Sequence, residues 1–236
     1  MSFRFSPSIV TNGLVLYLDA ANTRSYISGS TVWSDLSRSK VDGTLVNSGV
    51  GLTFNSANGG SLTFDGTNDY INMGNTSLGI DAGSTQITLE AWIYPTSFIS
   101  YRGIISRIAS SGPFGGWMIY TDGDSGNRLG FAVNVSGVWS VLPNIGSLST
   151  NVWYHLIGTY DGSSMKIYLN GLQSNSVSKP GTIQYASSLN NLVIGWNTSG
   201  SSYFPGNIAI TRIYNRALSS SEVLQNYNAT KSRFGL

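Results

Sequence analysis

The sequence predicts an all-β sandwich of the jelly-roll kind, closed by one short helix near its C-terminus. Three observations carry that expectation. Apolar residues alternate with polar ones in short runs from end to end, which is the period of a strand. Clusters of Gly, Asn, Asp and Ser separate the runs, and many short strands so punctuated belong to sandwiches and jelly rolls. Only one place, Ser219-Ser-Ser-Glu222, carries a helix-start pattern in which serine caps a backbone donor and glutamate reaches back.

The elements follow in order. Val15-Leu-Tyr-Leu18 is the first strand. The rest of the chain before residue 60 is irregular, and Trp33-Ser-Asp35 and Asp42-Gly43 are expected in loops packed across the sandwich edge. Strands are then expected at residues 61–64, 70–73, 86–94, 103–106, 117–120 and 129–133. The clearest segment is Asn151-Val-Trp-Tyr-His-Leu-Ile-Gly-Thr-Tyr-Asp-Gly162. There Trp153, His155, Ile157 and Thr159 alternate with Val152, Tyr154, Leu156 and Tyr160, and Asp161-Gly162 supplies a tight turn. Met165, Ile167 and Leu169 form one face of the returning strand, which Asn170-Gly171 ends. Strands at 191–195 and 207–214 complete the set. After the capping box, Val223, Leu224 and Tyr227 fall on one helical face. No linker-like shift in composition divides the chain, so residues 1–236 are read as one domain, with 1–14 and 226–236 as candidate attachment arms.

Composition narrows the function. Hydrophobic residues make up 41% of the chain, enough for a substantial core, whereas charged residues make up 10%. That is well below the roughly 25% usual in soluble domains, so Ser, Thr, Asn and Gly must build the polar surface. Such surfaces are common on extracellular and virion β proteins that face water or sugars. The net charge is +2 with basic residues scattered, so no patch for nucleic acid is expected; the nearest grouping is Arg212, Arg216, Lys231 and Arg233. With no cysteine, disulfides and thiolate metal sites are excluded. No apolar run approaches the ~20 residues of a membrane span. The opening Met1-Ser-Phe-Arg-Phe-Ser-Pro lacks a signal-peptide pattern, so standard secretion is not expected unless a leader has been removed.

Several strands carry landmarks of a known family. Leu62-Thr-Phe-Asp-Gly-Thr-Asn-Asp-Tyr70, Ile87-Thr-Leu-Glu-Ala-Trp-Ile-Tyr-Pro95 and the Trp153-to-Gly162 hairpin with Ile167-Tyr-Leu-Asn-Gly171 resemble laminin-G-like, concanavalin A-type jelly rolls. So does Gly206-Asn-Ile-Ala-Ile-Thr-Arg-Ile-Tyr, leading into Ser219 and Glu222, and the matches run in family order. The opening Gly13-Leu-Val-Leu-Tyr-Leu-Asp-Ala-Ala21 and the ending Asn226-Tyr-Asn-Ala-Thr-Lys-Ser-Arg-Phe-Gly-Leu236 resemble tailed-bacteriophage structural proteins carrying this domain. The resemblance implies a concanavalin A-like antiparallel β-sandwich.

Against that background the candidate chemistry can be weighed. Glycoside hydrolysis needs two carboxyls about 5–10 Å apart. Glycanase relatives of the family carry them as a Glu-x-Asp-x-x-Glu run, whereas the only glutamates here, Glu90 and Glu222, stand in unrelated settings. His155 is the single histidine and is expected to be a packed, hydrogen-bonded residue, so no catalytic residue is assigned. Calcium takes oxygen ligands and is the one metal the residues allow, though none is required. Asp122 and Asp124 sit in a loop that lacks the glycine and glutamate of a calcium hand, where Asn127 and Val133 stand. At the family's calcium position, in the last strand, Ala209 and Ile210 replace the acidic pair, leaving Asp65 and Asp69 as remaining ligands. Sugar binding calls for aromatic rings beside amides and carboxylates. Trp196, Asn197 and Tyr203 flank a polar, glycine-bearing loop, and Trp117 and Trp139 are expected to add to an exposed face.

The reading that follows is a non-enzymatic virion structural or surface protein: a head decoration, fibre or tail component made in the host cytoplasm. It would bind capsid or tail proteins, form a homo-oligomer and take host-surface glycans. The alternatives are a free lectin or adhesin domain and, third, a degenerate glycanase.

Overall fold

Alternation along the chain builds two antiparallel sheets in face-to-face contact. The computed structural model describes residues 7–47, 51–76, 78–80, 82–109, 115–124, 126–185, 191–198 and 200–236. In chain order the strands begin with β1 (Leu14–Asp19), β2 (Val32–Trp33), β3 (Gly43–Val46), β4 (Thr53–Asn55), β5 (Ser61–Asp65) and β6 (Tyr70–Asn72). The long central ones follow: β7 (Ile87–Pro95), β8 (Arg102–Ile108), β9 (Gly116–Asp122), β10 (Arg128–Val135), β11 (Val138–Pro143) and β12 (Tyr154–Tyr160). Then come β13 (Ser164–Leu169), β14 (Leu172–Ser178), β15 (Val193–Ile194), β16 (Pro205–Tyr214) and the α-helix α1 (Ser220–Thr230). The first sheet runs β14-β13-β12-β7-β16-β5-β4, with β1 also paired to β16; the second runs β11-β10-β9-β8-β15-β6-β3-β2. This is the expected all-β antiparallel sandwich with one short C-terminal helix.

The core lies between the sheets. Leu89, Ile93, Leu156, Tyr160 and Ile208 of the first sheet meet Ile105, Trp117, Ile119, Phe131 and Val133 of the second. At Gly158 the two sheets approach so closely that a β-carbon would run into the Phe131 ring. The first sheet is covered on its other face too, which is why every residue of β12 is buried. There Ile157, Tyr168 and Tyr214 pack under Leu218 and Val223, while Trp92 and Ile210 pack under Phe234.

The helix begins where the capping box places it. Glu222 donates its backbone N–H to Ser219 Oγ at 3.3 Å, and Ser219 N–H donates to Glu222 Oε2 at 2.9 Å. Arg216 forks the same carboxylate at 2.6 and 2.9 Å. The buried stripe differs from the expected one, because Leu224 is 41% exposed whereas Asn226 is fully buried. Val223, Asn226, Tyr227 and Thr230 are spaced i, i+3, i+4, i+7, and that row meets the sheet.

Residues 226–236 are not a free arm. Phe234 stacks on Trp92 at 4.0 Å between ring centres, and Arg233 donates to Asp19, Asn58 and Gly60. Of the N-terminal arm, residues 1–6 lie outside the described residues. Val10 is buried, its N–H donating to Asn226 Oδ1 at 2.8 Å and its carbonyl accepting from Tyr214 Oη at 3.1 Å. Trp33 and Gly43, expected in loops, belong to the short edge strand β2 and its neighbour β3, with Trp33 fully buried. No helix among the described residues is long and apolar enough to cross a membrane.

Gly158→Ala is expected to cost about 1–3 kcal/mol by overpacking against Phe131. Urea denaturation checks this: an unchanged midpoint would mean that the sheets separate there at no cost.

Candidate functional site

Two places bear on the expected chemistry, one a buried charge network and the other an aromatic cluster. The first is the covered face of the first sheet. Register sets Arg212 of β16 directly opposite Glu90 of β7, and β12 brings His155 alongside. Glu90 Oε1 accepts from Arg212 Nη1 and from His155 Nε2, the latter at 3.0 Å, and Oε2 accepts from Asn226 Nδ2 at 2.7 Å. Arg212 also lies over the Tyr17 ring, 4.6 Å from its centre. Burial alone would push the Glu90 carboxyl up, but the Arg212 guanidinium and hydrogen bonds from His155 and Asn226 outweigh it and hold the group at about 2. An ionised carboxylate only accepts, so His155 Nε2 is the donor. Glu90, His155 and Arg212 have no solvent-exposed side-chain surface. A ligand in solution cannot reach Glu90. His155 is the packed, hydrogen-bonded histidine of the sequence reading.

The second place is the end of the second sheet, on the face turned away from the core. Alternation about Ile71, which faces the core, turns Tyr70 outward at the start of β6. Antiparallel pairing of β6 with β15 returns the chain beside it at Trp196. Trp196 stacks on Tyr203 at 5.3 Å with the planes 10° apart, and Tyr70 completes a trio at 5.1 Å from Trp196 and 6.3 Å from Tyr203. All three rings are half-buried. A backbone bridge joins residues 196 and 203, and Trp196 Nε1 donates to the Gly200 carbonyl at 3.1 Å. The strand beneath must be bare: a β-carbon at Gly103 would strike the Trp196 backbone.

The structure thus unites Trp196 and Tyr203 and adds Tyr70, which sequence reasoning passed over. Asn197 is 4% exposed and donates through Nδ2 to the Tyr101 carbonyl, so it supports the loop and offers little to a ligand. Trp117 is corrected from face to core. It pairs with Val133 on the inward side of the sheet, is fully buried and donates through Nε1 to Tyr185 Oη. Trp139 does lie outward, half-buried against Met118, Tyr120 and Ala132, but on edge strand β11. Five strand steps of about 4.8 Å separate it from Tyr70, so it is no part of the trio.

The four aspartates fall in two separate turns, Asp65 with Asp69 and Asp122 with Asp124. Asp65 Oδ1 accepts from the Thr67 N–H at 2.7 Å, and Asp69 Oδ2 accepts from the Asp65 N–H at 2.9 Å, so both shape the β5–β6 turn. Burial pushes the Asp69 carboxyl up, against the backbone hydrogen bond that lowers it. Asp122 pairs with Arg128 at 3.5 Å and accepts from the Asp124 N–H at 3.2 Å. Calcium takes six to eight oxygens, and among the described residues no three His, Asp or Glu side chains converge. A polar cleft of about 460 Å³ between residues 19–23 and 229–233 is lined by no aromatic ring, and its charges, Asp19 and Arg233, pair with each other at 2.7 Å.

Comparison with known proteins places this geometry. Residues 65–224 match the laminin-G-type family model described as the concanavalin A-like lectin/glucanases superfamily. No curated protein matches the chain in sequence. Among solved structures, domain 4 of AbnA, a GH43 extracellular arabinanase from Geobacillus stearothermophilus in complex with arabinotriose, is similar. Its TM-score is 0.69 at 19% identity, covering 92% of this chain and 100% of that one. The binding domain of botulinum neurotoxin serotype G gives 0.65 at 18%, covering 91% and 50%. Trypanosoma rangeli sialidase in complex with sialic acid gives 0.64 at 17%, covering 96% and 34%. At these identities the likeness is one of fold.

Removing one partner of the buried pair, as in Glu90→Gln, is expected to destabilise the protein by about 3–5 kcal/mol, because Arg212 is left buried and uncompensated. Glu90 titrates near 2 when folded against 4.5 as its ordinary value. Its contribution is therefore whole above about pH 4.5 and is lost as pH falls through 2. Chemical denaturation of both proteins from pH 6 to pH 2 checks this: the gap between them should narrow below pH 4.5, and a constant gap would refute the assignment.

Proposed function

The chain belongs to the concanavalin A-like lectin/glucanases superfamily, and from that premise we propose that it is a non-catalytic carbohydrate-binding domain. The observation that carries this reading is the Tyr70–Trp196–Tyr203 group. Three half-buried rings lie together at a loop-built end, on a sheet face that α1 does not cover. Rings so placed offer apolar faces to the C–H face of a sugar. Non-catalysis is supported by the two glutamates, one sealed under α1 and the other engaged by Arg216 at the helix cap.

The phage-like opening and ending motifs support a finer reading, in which the domain is displayed on a tailed-phage particle, bound to capsid or tail proteins and presented to host-surface glycans. Antibody raised against the domain should decorate such particles in electron micrographs. Labelling confined to soluble protein would favour a free lectin instead.

Trp196→Ala is expected to reduce binding to whichever oligosaccharide a glycan array identifies by about tenfold or more, without loss of fold. The same oligosaccharide should yield no new reducing ends on prolonged incubation. Measurable hydrolysis would reinstate an enzyme.

A further inference from the structure

Beside the aromatic trio, Tyr101 has an unusual backbone. It precedes β8 with φ of +60°, a region a bulky side chain rarely enters. Two hydrogen bonds hold it there. Its N–H donates to the Thr121 carbonyl at 2.8 Å, and its own carbonyl accepts from Asn197 Nδ2. Despite that constraint the ring is 46% exposed. It lies flat on Tyr120, the centres 5.4 Å apart and the planes 8° from parallel.

The support beneath is rigid. Tyr120 is 2% exposed, and its ring lies across Gly130 of β10, where any β-carbon would collide with it. The order from inside outward is bare backbone, buried ring, exposed ring. Polar groups rim the stack. Asp122 and Asp124 follow directly from β9, Arg128 pairs with Asp122 at 3.5 Å, and Gly123 N–H donates to Ser100 Oγ at 3.0 Å, tying this loop to the one that carries Tyr101. Burial pushes the Tyr120 phenol up, and Asp122, Tyr101 and Asp124 add to the rise. A covering ring for Tyr120 does not by itself need a left-handed backbone, which costs of order 1–3 kcal/mol.

The same amide that holds Tyr101 belongs to the residue after Trp196. Tyr101 and Trp196 thus flank the neighbouring strands β8 and β15, about 4.8 Å apart at the backbone. We infer that Tyr101 is a second stacking platform of the proposed carbohydrate-binding surface, which takes an extended, neutral glycan across both platforms. The inference rests on that functional reading. Neutrality follows from the rim, where Arg102 and Arg128 stand against Asp122 and Asp124 and the balance of charge favours neither an anionic nor a cationic sugar.

The test begins with the full chain on an array of linear oligosaccharides, neutral and uronate-containing. Calorimetry with the best neutral binder follows on three variants. Tyr101→Gly removes the ring and relieves the backbone, since glycine accepts a positive φ without strain. It should lose about tenfold in affinity while its melting temperature stays within about 3 °C of the parent. Tyr101→Phe should keep most of the affinity, and Trp196→Ala should lose it as well. Unchanged affinity in Tyr101→Gly, with Trp196→Ala impaired, would leave the sugar site standing and overturn the second platform. So would a lower melting temperature with intact binding, which marks Tyr101 as a cover for Tyr120. Preference for uronates would overturn the neutral ligand. No binding by the parent protein to any glycan on the array would overturn the functional reading together with this one.

Discussion

The ion pair between Glu90 and Arg212 governs how the first sheet is finished. Two charges placed side by side on a sheet face, with a histidine next to them, cannot be left under an apolar cover, because desolvated charges without hydrogen bonds are costly. The remaining carboxylate oxygen needs a donor, and Asn226 of α1 supplies it. This explains a helix whose buried stripe carries a polar residue at its centre. It also explains why the C-terminal turn follows closely: once α1 is seated, Phe234 reaches Trp92 and Arg233 reaches Asp19. The candidate site lies on the second sheet, which α1 does not cover and whose outer ion pair, Asp122 with Arg128, is partly exposed.

Much of the fold was legible from residue order because the central strands are long and end in glycine-bearing turns. The helix start was equally plain, since a capping box is a local device that needs no tertiary information. The strands missed were β2, β3, β4, β11 and β14, which lie at or near sheet edges. Edge strands bury one side weakly, and Leu172-Gln-Ser-Asn-Ser-Val-Ser has no apolar face to announce it. The helix stripe was misread for the opposite reason. Leu224 is apolar yet exposed, and Asn226 is polar yet buried, because its partner lies 136 residues away.

The site was half legible. Trp196 and Tyr203 stand out in one loop, but Trp117-Met-Ile-Tyr is apolar on both faces, so nothing in it tells which face is inward. Only the pairing of Trp117 with Val133 within the second sheet, both turned into the core, settles that. Tyr70 and Tyr101 lie at strand beginnings, where one ring after a turn carries no periodic signal. The buried network around Glu90 was beyond reach for a related reason. Its members come from β7, β12, β16 and α1, and the strand order that makes them neighbours cannot be read from local pattern.

The ends of the chain close on each other. Val10 is held by Asn226 and Tyr214, and β1 takes its whole register from β16. During synthesis, therefore, the first strand must wait for nearly the last one, and the buried charges stay wet until the helix emerges from the ribosome. The cover of the first sheet is complete only once residue 234 has been translated. Until then the nascent chain carries one unfinished, aromatic-rich sheet face that a chaperone or a neighbouring nascent chain can touch.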